Sequence, residues 1–302
     1  MRKNRILFLV IILVIVAVIV GLYWYHTSSK EIVLRVTTTT SLYATGLLDK
    51  LAEEFHKHHP NIIIQFIAVG SGEALRKAAM GDADMVFVHA PSLEKRYVDQ
   101  GILVDWGIIA YNTFIIVGPS NDPAGIKGLK DPIEAFKKIY EAGEKREALF
   151  VSRGDNSGTH VRELALWKLA GLDPHGKSWY IESGTGMSQT LMIANEKNAY
   201  TLSDVGTYIK LKKDGDLPYL EIMVDKGTYL LNIYSVYIVN PEKYPSINYM
   251  YAKMFRDFVL SKEGQEIIAS YGVDKYGRPL FYPAEGKEDW LRDQWRELVS
   301  LG

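Results

Sequence analysis

With 302 residues, 47% of them hydrophobic, the chain can bury the cores of about two domains. Its formal net charge of −1 gives no global basic field for nucleic acid, so any anion must be held by a local site. The absence of cysteine excludes disulfides, thiolate metal sites, iron–sulfur clusters, thiol catalysis and a lipid-modified cysteine anchor.

In chain order, the basic stretch Met1-Arg2-Lys3-Asn4-Arg5 precedes an unbroken apolar run from Ile6 to Val20, continued by Gly21-Leu22-Tyr23-Trp24-Tyr25. This is about the ~20 residues that a membrane-spanning helix needs. Arg2, Lys3 and Arg5 favour a cytoplasmic N-terminus, and Tyr23, Trp24 and Tyr25 suit the far interface. The expectation is a single-pass anchor with the rest of the chain outside the cell and 26–30 as linker. A signal peptide is the alternative, although no A-x-A-like cleavage site stands out.

Ile32 to Val36 reads as a strand, followed by a polar loop, Thr37 to Ser41. Leu47, Leu48, Leu51, Ala52 and Phe55 recur at helical spacing up to Pro60. Ile62 to Val69 has the pattern of a buried strand, Gly70-Ser71-Gly72 turns the chain, Glu73 to Met80 is a helix and Met85 to Val88 a strand. This β-α-β-α-β order predicts an open, mainly parallel sheet. After the apolar run Tyr111 to Gly118, a second α/β cycle begins near Phe150. It carries helices through Leu164–Leu169 and Leu191–Ala194, and strands at 179–181 and 199–202. A long β run, Leu230 to Val239, precedes a helical C-terminus beginning near Tyr249.

Four polar loops follow strands and precede helices, the edge where open α/β sheets gather helix N-termini and free N–H groups. They are Thr38 to Ser41, Gly70 to Gly72, Ser152 to His160, and Gly184 to Ser188. Hydroxyls, glycines and one arginine form a donor set suited to a small anion. The candidate contacts are Thr40, Ser41, Ser71, Gly72, Arg153, Ser157, Thr159, Met187 and Ser188. Helix capping is the competing use of the hydroxyls, and an ion pair with Asp155 or Glu163 that of Arg153.

Other motifs fail. Leu75 stands where a dinucleotide fingerprint needs its third glycine, and no P-loop is present. Ser157, Asp155 and His160 are too close in sequence for a hydrolase triad to converge easily, and Ser157 lacks a G-x-S-x-G elbow. His56, His58 and His59 end an amphipathic helix, where histidines are usually solvated or complement the helix dipole.

Thr38–Ser41, Ala68 to Leu75, Gly81–Asp84, Tyr111-Asn112, Ser152–His160, Gly186-Met187 with Thr190-Leu191, and Ala199–Leu202 together resemble the Tup-type tungstate-binding proteins of ABC importers. The match runs in order from about residue 32 to 270, and Ser152–His160 is its most specific part. The resemblance implies an α/β, two-lobed type II periplasmic-binding-protein fold with the ligand cleft between the lobes. It implies lobes at 31–112 plus 230–302 and at 113–229 that close over tungstate, with molybdate as a second ligand. The closed form would deliver the anion to an ABC permease, as a monomer with no cofactor, metal or catalysis. The family's TTTS motif carries over to Thr38–Ser41 and its SRGD arginine to Arg153. Family members often carry threonine at the position of Ser71, glycine at that of Ser188 and arginine at that of Val205.

Arg153-x-Asp155-x-Ser157-Gly158-Thr159 also resembles phosphate-binding subunits, which makes phosphate the alternative ligand. A membrane-anchored hydrolase using Ser157 and His160 is the alternative from another class. Asp155 separates tungstate from phosphate. Turned towards Arg153, it leaves a donors-only site for a proton-free dianion; facing the ligand, it accepts a phosphate O–H.

Overall fold

The computed structural model of the chain describes residues 11–19 and 31–301. Residues 11–19 form a helix, α1. Among the described residues no helix is long and apolar enough to cross a membrane, and the rest of the expected anchor lies outside them.

The first lobe opens with β1 (Ile32–Thr39), α2 (Thr40–Ala44), α3 (Leu47–His58), β2 (Ile62–Val69), α4 (Ser71–Ala79), β3 (Met85–Val88) and α5 (Pro91–Asp99). β1 lies between β2 and β3 and is parallel to both. Thr37–Thr39 belong to the strand and not to a loop, because their β-branched side chains suit a buried pleat. The chain leaves that strand at Thr39, whose hydroxyl accepts the Leu42 N–H at 3.3 Å and caps α2.

β4 (Leu103–Pro119) then runs from one lobe into the other. The second lobe comprises α6 (Pro132–Glu144), β5 (Phe150–Ser152), α7 (Gly158–Leu169), β6 (Tyr180–Glu182), α8 (Met187–Lys197), β7 (Thr201–Asp204), α9 (Val205–Asp214) and β8 (Leu220–Val224). β9 (Leu231–Val239) returns the chain. α10 (Tyr249–Leu260), α11 (Lys262–Ser270), α12 (Val273–Tyr276), β10 (Tyr282–Pro283) and α13 (Glu288–Val299) complete it.

The main sheet runs β10-β4-β9-β3-β1-β2, with β7 and β8 on the far half of β4. Its first half, to Thr113, pairs with β9; from Phe114 it pairs with β7 and β8. The expected mainly parallel sheet is confined to β1–β3 and to the separate pair β5–β6. Every pairing of β4 and β9 is antiparallel, since one strand leaves the first lobe and the other returns to it.

The cores divide accordingly. One apolar cluster draws on residues between Leu34 and Ala110 and between Tyr234 and Phe281, while two others lie between Phe114 and Leu230. A small fourth cluster seats Leu291, Trp295 and Leu298 of α13 on Ile108 and Ile233.

Candidate functional site

The four polar loops meet where the lobes touch. On the first lobe, Ser41 lies in the short α2, and Ser71 begins α4 after Gly70, which gives that helix no side-chain cap. On the second lobe, Ser157 caps α7, its hydroxyl accepting the His160 N–H at 3.3 Å. Gly186 precedes Met187 and Ser188 at the start of α8, again without a side-chain cap. Met187 is buried and Ser188 half-buried.

Arg153 is 1% exposed and fixed on three sides. Its Nε donates to Thr185 O at 2.7 Å, and its Nη2 donates to Asp155 Oδ2 at 2.5 Å and to Thr40 Oγ1, across the lobes, at 3.4 Å. The other oxygen of Asp155 accepts the Ser157 N–H at 3.1 Å. Both carboxylate oxygens are thus used within the loop. Glu163 is not the partner of Arg153. It accepts from Ser152 Oγ, Trp167 Nε1 and Tyr180 OH, and burial pushes its carboxyl up to about 7.

The lobes are closed on one another. Gly72 N–H donates to Asn156 O at 3.2 Å, and a Cβ on Gly72 would lie 2.2 Å from Asn156 Nδ2. A Cβ on Gly158 would lie 2.8 Å from both the ring and the carbonyl oxygen of His89. At Gly158 the obstacle is backbone and only glycine permits the approach, whereas at Gly72 a Cβ would have to push the Asn156 side chain aside.

Three buried hydroxyls on these elements, Thr38 Oγ1, Ser71 Oγ and Thr159 Oγ1, have no hydrogen-bond partner among the described residues. Leaving such a group unpaired costs about 1–3 kcal/mol, so native folds rarely do so without a functional reason. They stand on β1, at the start of α4 and in the first turn of α7, and such unpaired donors suit an external acceptor. His160 Nε2 is also unpartnered. Its Nδ1 accepts the Asn156 N–H at 3.0 Å, so the ring faces the backbone and forms no relay with Ser157. The hydrolase alternative loses its geometry there. Among the described residues no cluster of His, Asp and Glu could hold a metal.

Sequence reasoning missed His89. The buried ring lies just beyond β3, at the kind of strand end that carries the polar loops. Asn232 donates to Asn112 Oδ1 at 3.0 Å and to Tyr234 OH at 2.8 Å, so its own Oδ1 accepts from His89 Nδ1 at 2.9 Å. That assigns the proton to Nδ1 and leaves Nε2 to accept from Ser41 Oγ, 3.4 Å away. Burial lowers the pKa of His89 to about 4, so the ring is neutral. A strand-end position shared with the four loops was the available signal.

A family model described as a PBP superfamily domain matches residues 26–263. The tungstate-binding protein TupA of Peptoclostridium acidaminophilum is 43% identical over 258 residues, which cover 85% of this chain and 86% of that one. Among solved structures, the tungstate ABC transporter protein from Geobacter sulfurreducens is 45% identical with a TM-score of 0.69, covering 79% of this chain and 98% of its own. TupA from Desulfovibrio alaskensis G20 is 41% identical with a TM-score of 0.69, covering 83% and 98%. The family match, these identities and the two-lobed architecture agree that the chain belongs to the PBP superfamily and, within it, to the family of the TupA tungstate-binding proteins.

Proposed function

We propose that this chain is the solute-binding subunit of an ABC importer, capturing tungstate between its lobes and presenting it to the permease. The role is binding without catalysis, and tungstate is cargo, not cofactor. In this reading 31–112 with 230–302 and 113–229 are the two lobes that close on the anion. Thr40, Ser41, Ser71, Gly72, Arg153, Ser157, Thr159, Met187 and Ser188 surround it. Residues 1–30 hold the monomer at the membrane with both lobes outside the cell. Recovery of full-length protein from the membrane fraction after a high-salt wash supports the anchor; a mature N-terminus near residue 26 contradicts it.

The observation that carries the choice of ligand is the engagement of both Asp155 oxygens within their own loop. A proton-free dianion only accepts hydrogen bonds, and this loop then offers it donors. Phosphate near neutral pH keeps a proton that needs an acceptor; without one it loses about 1–3 kcal/mol, roughly tenfold to a hundredfold in affinity. Molybdate shares tungstate's charge and shape and is a second ligand. The test is calorimetry with tungstate, molybdate, sulfate and phosphate. Tight binding of the first two and weak binding of phosphate is expected; phosphate binding as tightly as tungstate would overturn the assignment.

A further inference from the structure

Arg162 lies on α7, the helix whose start carries Ser157 and Thr159, and is 6% exposed. Its Nη1 donates to Tyr229 O at 2.8 Å, and its guanidinium lies 5.7 Å from the centre of the Phe114 ring. Among the described residues it has no carboxylate partner. Burial alone lowers its pKa, to about 10, so it remains a cation at neutral pH. Folds seldom keep a buried cation without a counter-ion, because the lost hydration is not replaced.

Its position offers a reason. Arg162, His89 and Gly158 line one cavity of about 10 Å³, and the Phe114 ring under Arg162 also stacks on His89 with centroids 6.0 Å apart. His89 in turn reaches Ser41. Arg162 therefore stands directly behind the lobe contact, separated from it by a neutral ring. The charges nearer the contact do not sum to a positive value. Arg153, the cation at the contact, is paired with Asp155. Hydroxyls and backbone N–H groups then contribute dipoles but no net charge.

We propose that Arg162 is the second cation of the ligand site, acting through space to make it select doubly charged over singly charged tetrahedral oxyanions. The inference rests on the reading that an oxyanion binds between the lobes. Arg162 does not touch the anion; its field supplies countercharge that the Arg153–Asp155 pair cannot. Across about 10 Å of protein with an effective dielectric of ~20, one charge changes affinity roughly tenfold for each unit of ligand charge.

Perrhenate is the probe, because it has nearly the size and shape of tungstate and one negative charge fewer. Calorimetry on the full-length protein compares both anions in wild type, Arg162→Lys and Arg162→Met. In Arg162→Met the ratio of tungstate to perrhenate affinity should fall roughly tenfold, and in Arg162→Lys at pH 7 it should be retained. Equal weakening for both anions, as a purely structural role would give, overturns the proposal, and so does an unchanged ratio. If Arg162→Met does not fold, Arg162→Lys decides. A buried lysine loses its proton more readily than arginine, so tungstate affinity in that variant should drop between pH 7 and pH 10 more steeply than in wild type. Parallel pH profiles overturn the proposal. Wild-type protein that binds neither anion instead overturns the oxyanion reading beneath it.

Discussion

The two lobes bring different kinds of donor to their contact. The first offers neutral hydroxyls, those of Thr40, Ser41 and Ser71, with the uncharged ring of His89 behind Ser41 as its acceptor. The second carries the charge, with Arg153 beside Asp155 and Arg162 behind the contact of Gly158 with His89. The difference shows how an empty site stays soluble and ready. A cation kept against its own carboxylate needs no ligand for solvation, whereas neutral hydroxyls are satisfied by water until closure removes it. Closure without an acceptor leaves buried hydroxyls unpaired, as at Ser71 and Thr159. An anion removes that penalty, so binding and closure favour each other.

If charge resides in the second lobe, its loss should have the largest effect. Arg153→Gln should weaken tungstate binding by ~4 kcal/mol, about a thousandfold. Arg153→Lys keeps the charge, loses the planar fork and should fall between the two. Calorimetry showing one affinity for all three would reduce Arg153 to an internal ion pair.

The lobes should also differ in pH response. His89 is held near 4, below its ordinary 6.5, so its contribution to stability is present above pH 6.5 and is lost as pH falls towards 4. Glu163 is raised to about 7 from 4.5, so its contribution is complete below pH 4.5 and is lost as pH rises through 7. Each is worth at most about 3 kcal/mol. Denaturant titrations across pH should show a flatter acid limb in His89→Gln and a flatter limb near neutrality in Glu163→Gln. Unchanged limbs would contradict these assignments.

Contact between the lobes is tested at Gly158. A Cβ there meets the His89 carbonyl oxygen, so Gly158→Ala should oppose closure and cost ~2 kcal/mol of affinity, roughly thirtyfold. Small-angle scattering should then show less compaction on adding tungstate; wild-type affinity and compaction would rule out this contact as the closed state.

Single hydroxyls should matter less, and equally from either side. Ser71→Ala and Thr159→Val should each lose about 1.5–2 kcal/mol of binding. The melting temperature of the ligand-free protein should stay level or rise, because each substitution removes an unpartnered polar group. Ser41 already has His89 as an acceptor, so Ser41→Ala should cost only about 1 kcal/mol. A larger loss for Ser41→Ala than for Ser71→Ala would reverse the His89 tautomer.

The same contrast marks what the sequence disclosed. Met85–Val88 was legible because a continuous apolar run has one stable use beside a helix. Ile62–Val69 was legible as a strand but not as the buried one expected, since β2 ends the sheet with only Ile62 buried and Gln65 interrupts its run. α5 and α6 were not anticipated, since each begins with a proline, which punctuates loops but is also well tolerated at a helix start. Only residues 111–118 of β4 were visible, because Asp105, in left-handed backbone, and Gly107 interrupt the strand pattern where its pairing with β9 shifts. The polar loops were legible as loops of donors, and Arg153 as their cation. His89 and Arg162 were not, because burial defines both roles: His89 offered only its strand-end position, and Arg162, within a helix, offered nothing. The pairing of Asp155 with Arg153 was one of two possibilities until the carboxylate's direction was known.

The direction of the Asp155 carboxylate decides the ligand and can be tested directly. A competition titration of tungstate against excess phosphate, in wild type and Asp155→Asn, reads out whether Asp155 braces Arg153 or faces the ligand. Phosphate should fail to displace tungstate from either protein, and Asp155→Asn should bind tungstate only modestly more weakly, through a looser Arg153. Phosphate displacing tungstate from wild type at comparable concentration, with that ability lost in Asp155→Asn, would contradict the tungstate assignment.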